Sequence, residues 1–166
     1  MKQLILIFVL FISSLSCFGQ SFTREAGVRG GLTSGLSYRQ YLENNLAYEG
    51  LLSFRKGGLQ FTLLRQIHES SLEEYADNLY FSYGFGAHVG YFYSTKYNFL
   101  WYDDFYYSER RLSPLAGIDG YAGVEYRVQE FPITVGLDYK PFFEFSTQEF
   151  FRIRIWDLAF TIKYRF

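Results

Sequence analysis

Apolar and polar side chains alternate at every second residue through most of this chain, and most cleanly at its end. In the stretch from Trp156 to Phe166, the residues Trp156, Leu158, Phe160, Ile162, Tyr164 and Phe166 are apolar or aromatic, while Asp157, Ala159, Thr161, Lys163 and Arg165 are mostly charged or small. A strand turns successive side chains to opposite faces, so this stretch is a ribbon with one apolar and one ionised side. Such a face, rich in aromatics and opposite full charges, suits a strand that crosses a bilayer within a barrel. A half-buried soluble strand has the same period, so the choice rests on how often the pattern recurs and on how the chain begins.

It recurs nearly throughout. The period predicts strands over Arg24–Leu42, Leu46–Arg55, Leu59–His68, Leu79–Tyr93, Leu115–Val128, Ile133–Lys140 and a last one ending at Phe166. The segment Ser94–Pro114 alternates poorly. Within it Asn98–Ser108 reads as a further strand or as part of one long loop. Counting it, the expectation is an all-β, eight-stranded, antiparallel up-and-down transmembrane barrel with both termini on the periplasmic side. Short turns are expected at Glu43–Asn45, Lys56–Gly58 and Gln129–Pro132. The Lys56 and Gln129 turns then fall on the periplasmic side. Longer outer loops are expected at Glu69–Asn78, Ser108–Pro114 and Pro141–Phe151, and Glu43–Asn45 becomes an unusually short outer loop.

The first residues read as an export signal, residues 1–19: Lys2, an apolar run from Leu4 to Ile12, then Cys17-Phe18-Gly19 with small residues at the −3 and −1 positions of cleavage before Gln20. The apolar run is too short for a helical span. Acylation at Cys17 is the alternative, although Ser14 occupies the position where a lipobox has a Leu-like residue. The barrel domain is then residues 20–166, without a cysteine and so without a disulfide. The chain carries a net charge of −1, and that balance argues against nucleic acid as a partner. Aromatic residues make up 22% of the chain, more than an ordinary soluble core needs and in keeping with interfacial girdles.

The polar faces collect Arg29, Arg39, Glu49, Arg55, Asp119 and Glu125, and then Arg127, Asp138, Lys140, Asp157, Lys163 and Arg165. Inside a barrel of eight strands there is room for side chains and little else, so opposite charges are expected to pair and fill the lumen. A narrow pore is the alternative. A soluble periplasmic ligand-binding barrel would reverse the facing, with apolar residues inward. Candidate catalytic pieces are His68, Glu69, Ser70 and Ser71, which read more simply as an ordinary strand end. His88 reads as a hydrogen-bonded interior histidine. Glu73, Glu74 and Asp77, or Asp103 and Asp104, are calcium-like groupings and read more simply as solvated loops. No cofactor and no transition-metal spacing is expected.

The signal, the alternating segments and the terminal Phe160-Thr161-Ile162-Lys163-Tyr164-Arg165-Phe166 resemble small outer-membrane β-barrels of Gram-negative bacteria, the OmpA/OmpX-like group. Stretches such as Val28-Arg29-Gly30-Gly31-Leu32 and Gly117-Ile118-Asp119-Gly120 resemble those of small barrels of that kind. The resemblance implies an integral protein of the cell outer membrane, in contact with outer-membrane lipid. It also implies recognition by the barrel-assembly machinery through Phe166, supported by Tyr164, Ile162 and Phe160. No OmpA-type wall anchor is expected. The expected role is structural or surface-interacting, through outer loops and an unknown extracellular ligand, rather than enzymatic. A lipid-modifying barrel enzyme is the alternative, since small barrels of the outer membrane include lipid-A hydrolases and acyltransferases.

Overall fold

The computed structural model describes residues 23–42, 45–55, 57–70, 77–97, 105–148 and 151–166. The export signal, Ser71, Glu73, Glu74, Asp103, Asp104 and residues 98–104 as a whole lie outside them. Ten strands form one antiparallel sheet: β1 (Arg24–Gly31), β2 (Ser34–Tyr41), β3 (Leu46–Arg55), β4 (Gly58–Glu69), β5 (Leu79–Tyr97), β6 (Phe105–Arg127), β7 (Ile133–Tyr139), β8 (Phe142–Ser146), β9 (Arg152–Arg154) and β10 (Leu158–Arg165). From β1 to β7 neighbours in sequence pair in turn, β7 pairs with β10, and β10 closes on β1, so the sheet is a closed up-and-down barrel.

The ten segments make eight staves. β8 continues β7 against β6 without a slip, since Ala122 faces Tyr139 and Asp119 faces Phe142. The interruption is Pro141, which has no N–H to give; its carbonyl still accepts from the Gly120 N–H at 2.8 Å. β9 and β10 form the last stave, but with one extra residue. Arg154 faces Phe142 and Leu158 faces Tyr139, four residues against three. That is a β-bulge, and it turns the consecutive residues Ile155 and Trp156 both outward.

The closure is staggered. Stepping around the ring through Leu79, Tyr126, Val135, Ile162, Val28, Leu36, Leu52 and Phe61, each paired with the next, leads back to β5 at Val89, ten residues above the start. With about 3.3 Å per residue and about 4.8 Å between strands, this stagger tilts the staves by about 40° and leaves a radius of about 8 Å. An interior of that width is filled by side chains alone.

The two-residue period sorts the side chains onto two faces, and the closed ring turns the polar face inward. Val28, Leu36, Phe61, Phe85, Val89, Ile118, Leu137 and Phe160 are exposed on the outer wall, while Arg39, Glu49, Gln66, Lys140 and Lys163 are buried. In the last stave Phe160 and Ile162 face out, and Thr161 and Lys163 face in.

Several element boundaries differ from those the period predicts. Arg24–Leu42 is two strands with a turn at Leu32-Thr33. Val28 pairs with Leu36, so even-numbered residues face out on both strands and the alternation passes through the turn unbroken. The turn is closed by Ser34, whose hydroxyl donates to the Gly31 carbonyl at 2.7 Å and accepts from its N–H at 3.0 Å. Conversely, the described part of Asn98–Ser108, the expected loop Ser108–Pro114 and the strand Leu115–Val128 are a single strand, β6. Pro114 sits in it opposite Tyr91, just past the point where β8 stops pairing at Leu115, so its missing N–H breaks no ladder. The expected aromatic loop at 141–151 contains β8. One strand gained and one lost leave the count at eight.

The extra turn at Leu32 reverses the ends to which some connections belong. Leu42, Asn45, Ser70, Asn78 and residues 128–132 lie at the end that holds both termini. The N–H of His68 donates to the Asn45 carbonyl and that of Arg127 to the Asn78 carbonyl. The turn at 32–33 and Gly57, with φ 74°, lie at the opposite end. β2 and β3, β3 and β4, and β4 and β5 therefore each meet at the end opposite to the one expected for the Glu43, Lys56 and Glu69 connections, while the Gln129 turn stays where it was placed; Glu43, Asn44, Lys56 and residues 71–76 lie outside the described residues. Arg24 and Phe166 exchange backbone hydrogen bonds of 3.2 and 2.9 Å, which keeps the termini together.

Candidate functional site

The buried polar side chains form layers along the barrel axis. Nearest the termini, Arg39 lies at the centre and is fully buried. Its Nε and Nη2 donate to Glu49 Oε2 at 3.0 and 2.7 Å, and its Nη1 donates to Glu125 Oε2 at 2.7 Å and Glu25 Oε2 at 3.2 Å. Lys163 reaches Glu49 Oε1 and Glu125 Oε1, both at 3.1 Å. Gln66 donates to Glu49 at 2.7 Å and Thr134 to Glu25 at 2.9 Å. Seven strands thus meet in one cluster, five of them contributing an ion, and each ion has at least one opposite partner. A buried charge needs such partners, because the cost of removing it from water is several kcal/mol.

Above this cluster Leu51, Leu64 and Tyr121 form a small apolar layer. Beyond it, Arg29 forks onto Asp138 with contacts of 2.7 and 3.1 Å and lies 3.4 Å from Asp157. Lys140 lies 2.8 Å from Asp119 and 3.6 Å from Asp157. Thr33, from the β1–β2 turn, donates to Asp157 at 2.6 Å. His88 Nδ1 is 2.7 Å from Asp119 Oδ2. Its Nε2 lies 3.5 Å from Glu144, which also pairs closely with Arg55 and lies 3.6 Å from Arg152.

Of the twelve charges read from the polar faces, nine are buried in these layers and Arg55 stands at the far rim. Arg127 and Arg165 lie near the termini and meet different groups. Arg127 stacks 3.9 Å from the centre of the Tyr80 ring and donates to the Tyr41 hydroxyl at 3.3 Å. Arg165 donates to the carbonyls of Val128 and Phe131 at 2.7 and 3.2 Å and so fastens the 128–132 turn.

Two partners escaped the sequence reading. Glu25 has the same odd parity as Arg29 on the same strand, and that was the available signal. Glu144 lies in a stretch read as loop, although Phe142-Phe143-Glu144-Phe145 resumes the alternation after Pro141. The four C-terminal residues proposed as an assembly signal lie together on the outer face of β10 and the chain end. Phe160, Ile162 and Phe166 are exposed, Tyr164 is half-buried, and the Tyr164 and Phe166 rings stack at 6.4 Å.

The described catalytic candidates, His68, Glu69 and Ser70, are not brought together, and Ser71 lies outside the described residues. His68 points into the barrel, with its ring edge-on to Tyr41 at 5.0 Å and its Nδ1 3.8 Å from Glu125. Glu69 and Ser70 are exposed, and Glu69 accepts from the Tyr83 hydroxyl at 2.9 Å. Successive residues of a strand face opposite ways, so His68 and Glu69 are separated by the wall itself. Among the described residues no group of His, Cys, Asp and Glu side chains is placed to hold a metal ion. Asp77 is described, but the other calcium-like carboxylates are not.

The His88 layer depends on a glycine. A Cβ on Gly117 would meet the Phe143 carbonyl and the His88 ring, with Nε2 only 2.6 Å away. Gly117→Ala is therefore expected to push His88 off Asp119 and to destabilise the barrel by about 1–3 kcal/mol, the usual cost of overfilling a packed interior. Urea unfolding of the variant beside the parent chain measures it, and an unchanged midpoint would show that the ring has room.

Ring closure, up-and-down order and inverted polarity together define an eight-stranded antiparallel β-barrel, an architecture consistent with an OmpX-like barrel. In comparisons with protein-family models, curated proteins and solved structures, the chain matches none.

Proposed function

We propose that the protein is an integral outer-membrane barrel with a structural or surface-interaction role, exported by residues 1–19 and closed to flow by its interior charges. The observation that carries this reading is the inverted wall. A continuous apolar surface surrounds the barrel, from Val28 and Leu36 through Phe61 and Phe85 to Ile118 and Phe160, over an interior of ion pairs. In water a surface of that extent is an interaction or aggregation site, whereas in lipid it is the required exterior. No helix among the described residues is long and apolar enough to cross a membrane, which says nothing of strands. The plugged interior is supported by the narrow radius and by the partnering of Arg39, Lys163, Arg29 and Lys140 with carboxylates.

With the termini on the periplasmic side, the surface-facing end carries the 32–33 turn, Gly57, the far ends of β5 and β6, and residues 147 and 148. At about 3.3 Å per residue the 23-residue β6 spans about 75 Å against about 26 Å for the eight-residue β1. The β5–β6 ribbon is the part of the barrel best placed for contact beyond the membrane. The test is membrane fractionation combined with gel mobility before and after boiling. Recovery in the detergent-extracted envelope with a heat-dependent shift is expected. Recovery in the soluble periplasm would end the proposal.

A further inference from the structure

Among the described residues, one charged side chain leaves the outer wall away from its margins. Arg65 alternates with the buried Leu64 and Gln66, and so projects from β4 on the apolar face, between Leu63 and Ile67. The other described charges that alternation sends outward stand at the edges. Arg24 opens β1 and Glu69 closes β4 at the terminal rim, and Arg110 lies toward the far end of β6. On staves tilted by about 40°, each residue adds about 2.5 Å of height, so Arg65 sits about 10 Å above Glu69. That is within the half of the apolar wall nearer the termini, since such a band is about 25 Å tall.

The Arg65 guanidinium has neither a hydrogen bond nor an ion pair among the described residues. Its contact is the Phe85 ring, whose centre lies 6.0 Å from Cζ. Glu69, the outward carboxylate on the same strand, is four residues away, about 13 Å along β4. It accepts from the Tyr83 hydroxyl at 2.9 Å instead. Glu73 and Glu74, in the connection after β4, lie outside the described residues. In the ladder Arg65 faces Tyr48 on β3 and Phe85 on β5, so three outward side chains stand in one row. Tyr48 is exposed, and its hydroxyl has no partner among the described residues. Leu63 and then Phe61, both exposed, carry an apolar track from that row toward mid-height. A cation on a lipid-facing wall is costly unless an anion meets it there. Guanidinium matches the oxygens of a phosphate with paired N–H donors, and an adjacent hydroxyl adds another donor. A cation beside a hydroxyl at the foot of an apolar track fits an anion that carries a hydrocarbon chain.

We propose that Arg65 and Tyr48 form a site on the outer wall for an anionic glycerophospholipid of the leaflet on the terminal side. The phosphate accepts from the Arg65 guanidinium and the Tyr48 hydroxyl, Phe85 flanks the cation, and an acyl chain lies along Leu63 and Phe61. This site rests on the membrane-spanning reading and adds to it a preference for one headgroup charge at one place on the wall. A wall that only repels water would have no such preference.

The test first follows insertion of the full barrel into phosphatidylcholine vesicles. Native mass spectrometry from uncharged maltoside micelles then counts bound phosphatidylglycerol and phosphatidylcholine of the same chain length. Failure to insert would remove the membrane reading and this site with it. Insertion is expected, and the first phosphatidylglycerol should bind about tenfold more tightly than phosphatidylcholine, whose phosphate is already paired with its own ammonium. Arg65→Gln should cost about tenfold or more and erase that preference, since a charge-assisted contact is worth at least that factor. Unboiled gel mobility checks that the variant is folded. Tyr48→Phe, which removes one hydroxyl, should lower the preference severalfold and serves where Arg65→Gln does not fold. Equal binding of the two lipids, or a preference that survives in folded Arg65→Gln, would overturn the proposal and leave the membrane reading standing. Glu73→Gln with Glu74→Gln should change the preference by less than about threefold at raised salt, where only direct contacts persist; a gain of about tenfold would show that those carboxylates hold the guanidinium, and would overturn the site. A dimer that disappears with Arg65→Gln would assign the cation to a second copy of the chain and overturn it as well.

Discussion

Arg39→Met is expected to lower the unfolding free energy by about 3–5 kcal/mol, the cost of removing one partner from a buried ion cluster. Arg39 is fully buried and bonds to Glu25, Glu49 and Glu125. Without it Lys163 remains as the cation within 3.1 Å of both Glu49 and Glu125, and Glu25 loses its paired guanidinium. The loss should therefore exceed what any single hydrogen bond accounts for, about 0.5–1.5 kcal/mol. Adding Glu49→Gln should restore part of the stability by removing one of the stranded charges, so the two changes are not additive. Urea titration of the refolded barrel, read by gel mobility, measures both. A loss under about 1 kcal/mol would mean that water already solvates these ions, and the filled interior would have to be abandoned.

A second large effect is expected on the outer wall. The stagger places Leu36 near mid-height of the barrel, while Gln40 lies near the terminal rim of the same strand, and both face outward. In lipid vesicles Leu36→Arg should cost about 2–4 kcal/mol and Gln40→Arg about 0–1 kcal/mol, because a charge is costly at the bilayer centre and cheap at its edge. If water surrounded the wall, both changes would fall within about 0.5 kcal/mol of the parent chain. Equal, small effects would refute the membrane-spanning reading without any assumption about the protein's role.

The fold was legible wherever a strand ran between two clear turns. Leu46–Arg55 has the boundaries its alternation predicts, because Asn45 and the glycines at 57 and 58 punctuate it. It was illegible at Leu32-Thr33, where the pairing keeps the same parity on both sides and the apolar period does not falter. The cluster Gly30, Gly31, Ser34 and Gly35 was the available sign of that turn. β6 was hidden for the opposite reason. Pro114 looks like a break, yet it is harmless where the strand has a neighbour on one side only. The interior was legible as a set of ions and not as a set of pairs. Arg39 finds Glu125 across 86 residues, and Arg29 finds Asp138 across 109. No local spacing carries that information.

By itself, then, the order of residues determined which side chains share a face, because strand geometry imposes a period of two on any extended segment; that the polar face looks inward was decided by the ring. Tertiary structure alone decided the ten-residue stagger, the end of the barrel to which each turn belongs, and the partner each buried ion meets. Those depend on how eight staves shift against one another before the ring closes, and that shift is set by pairing between segments far apart in the chain.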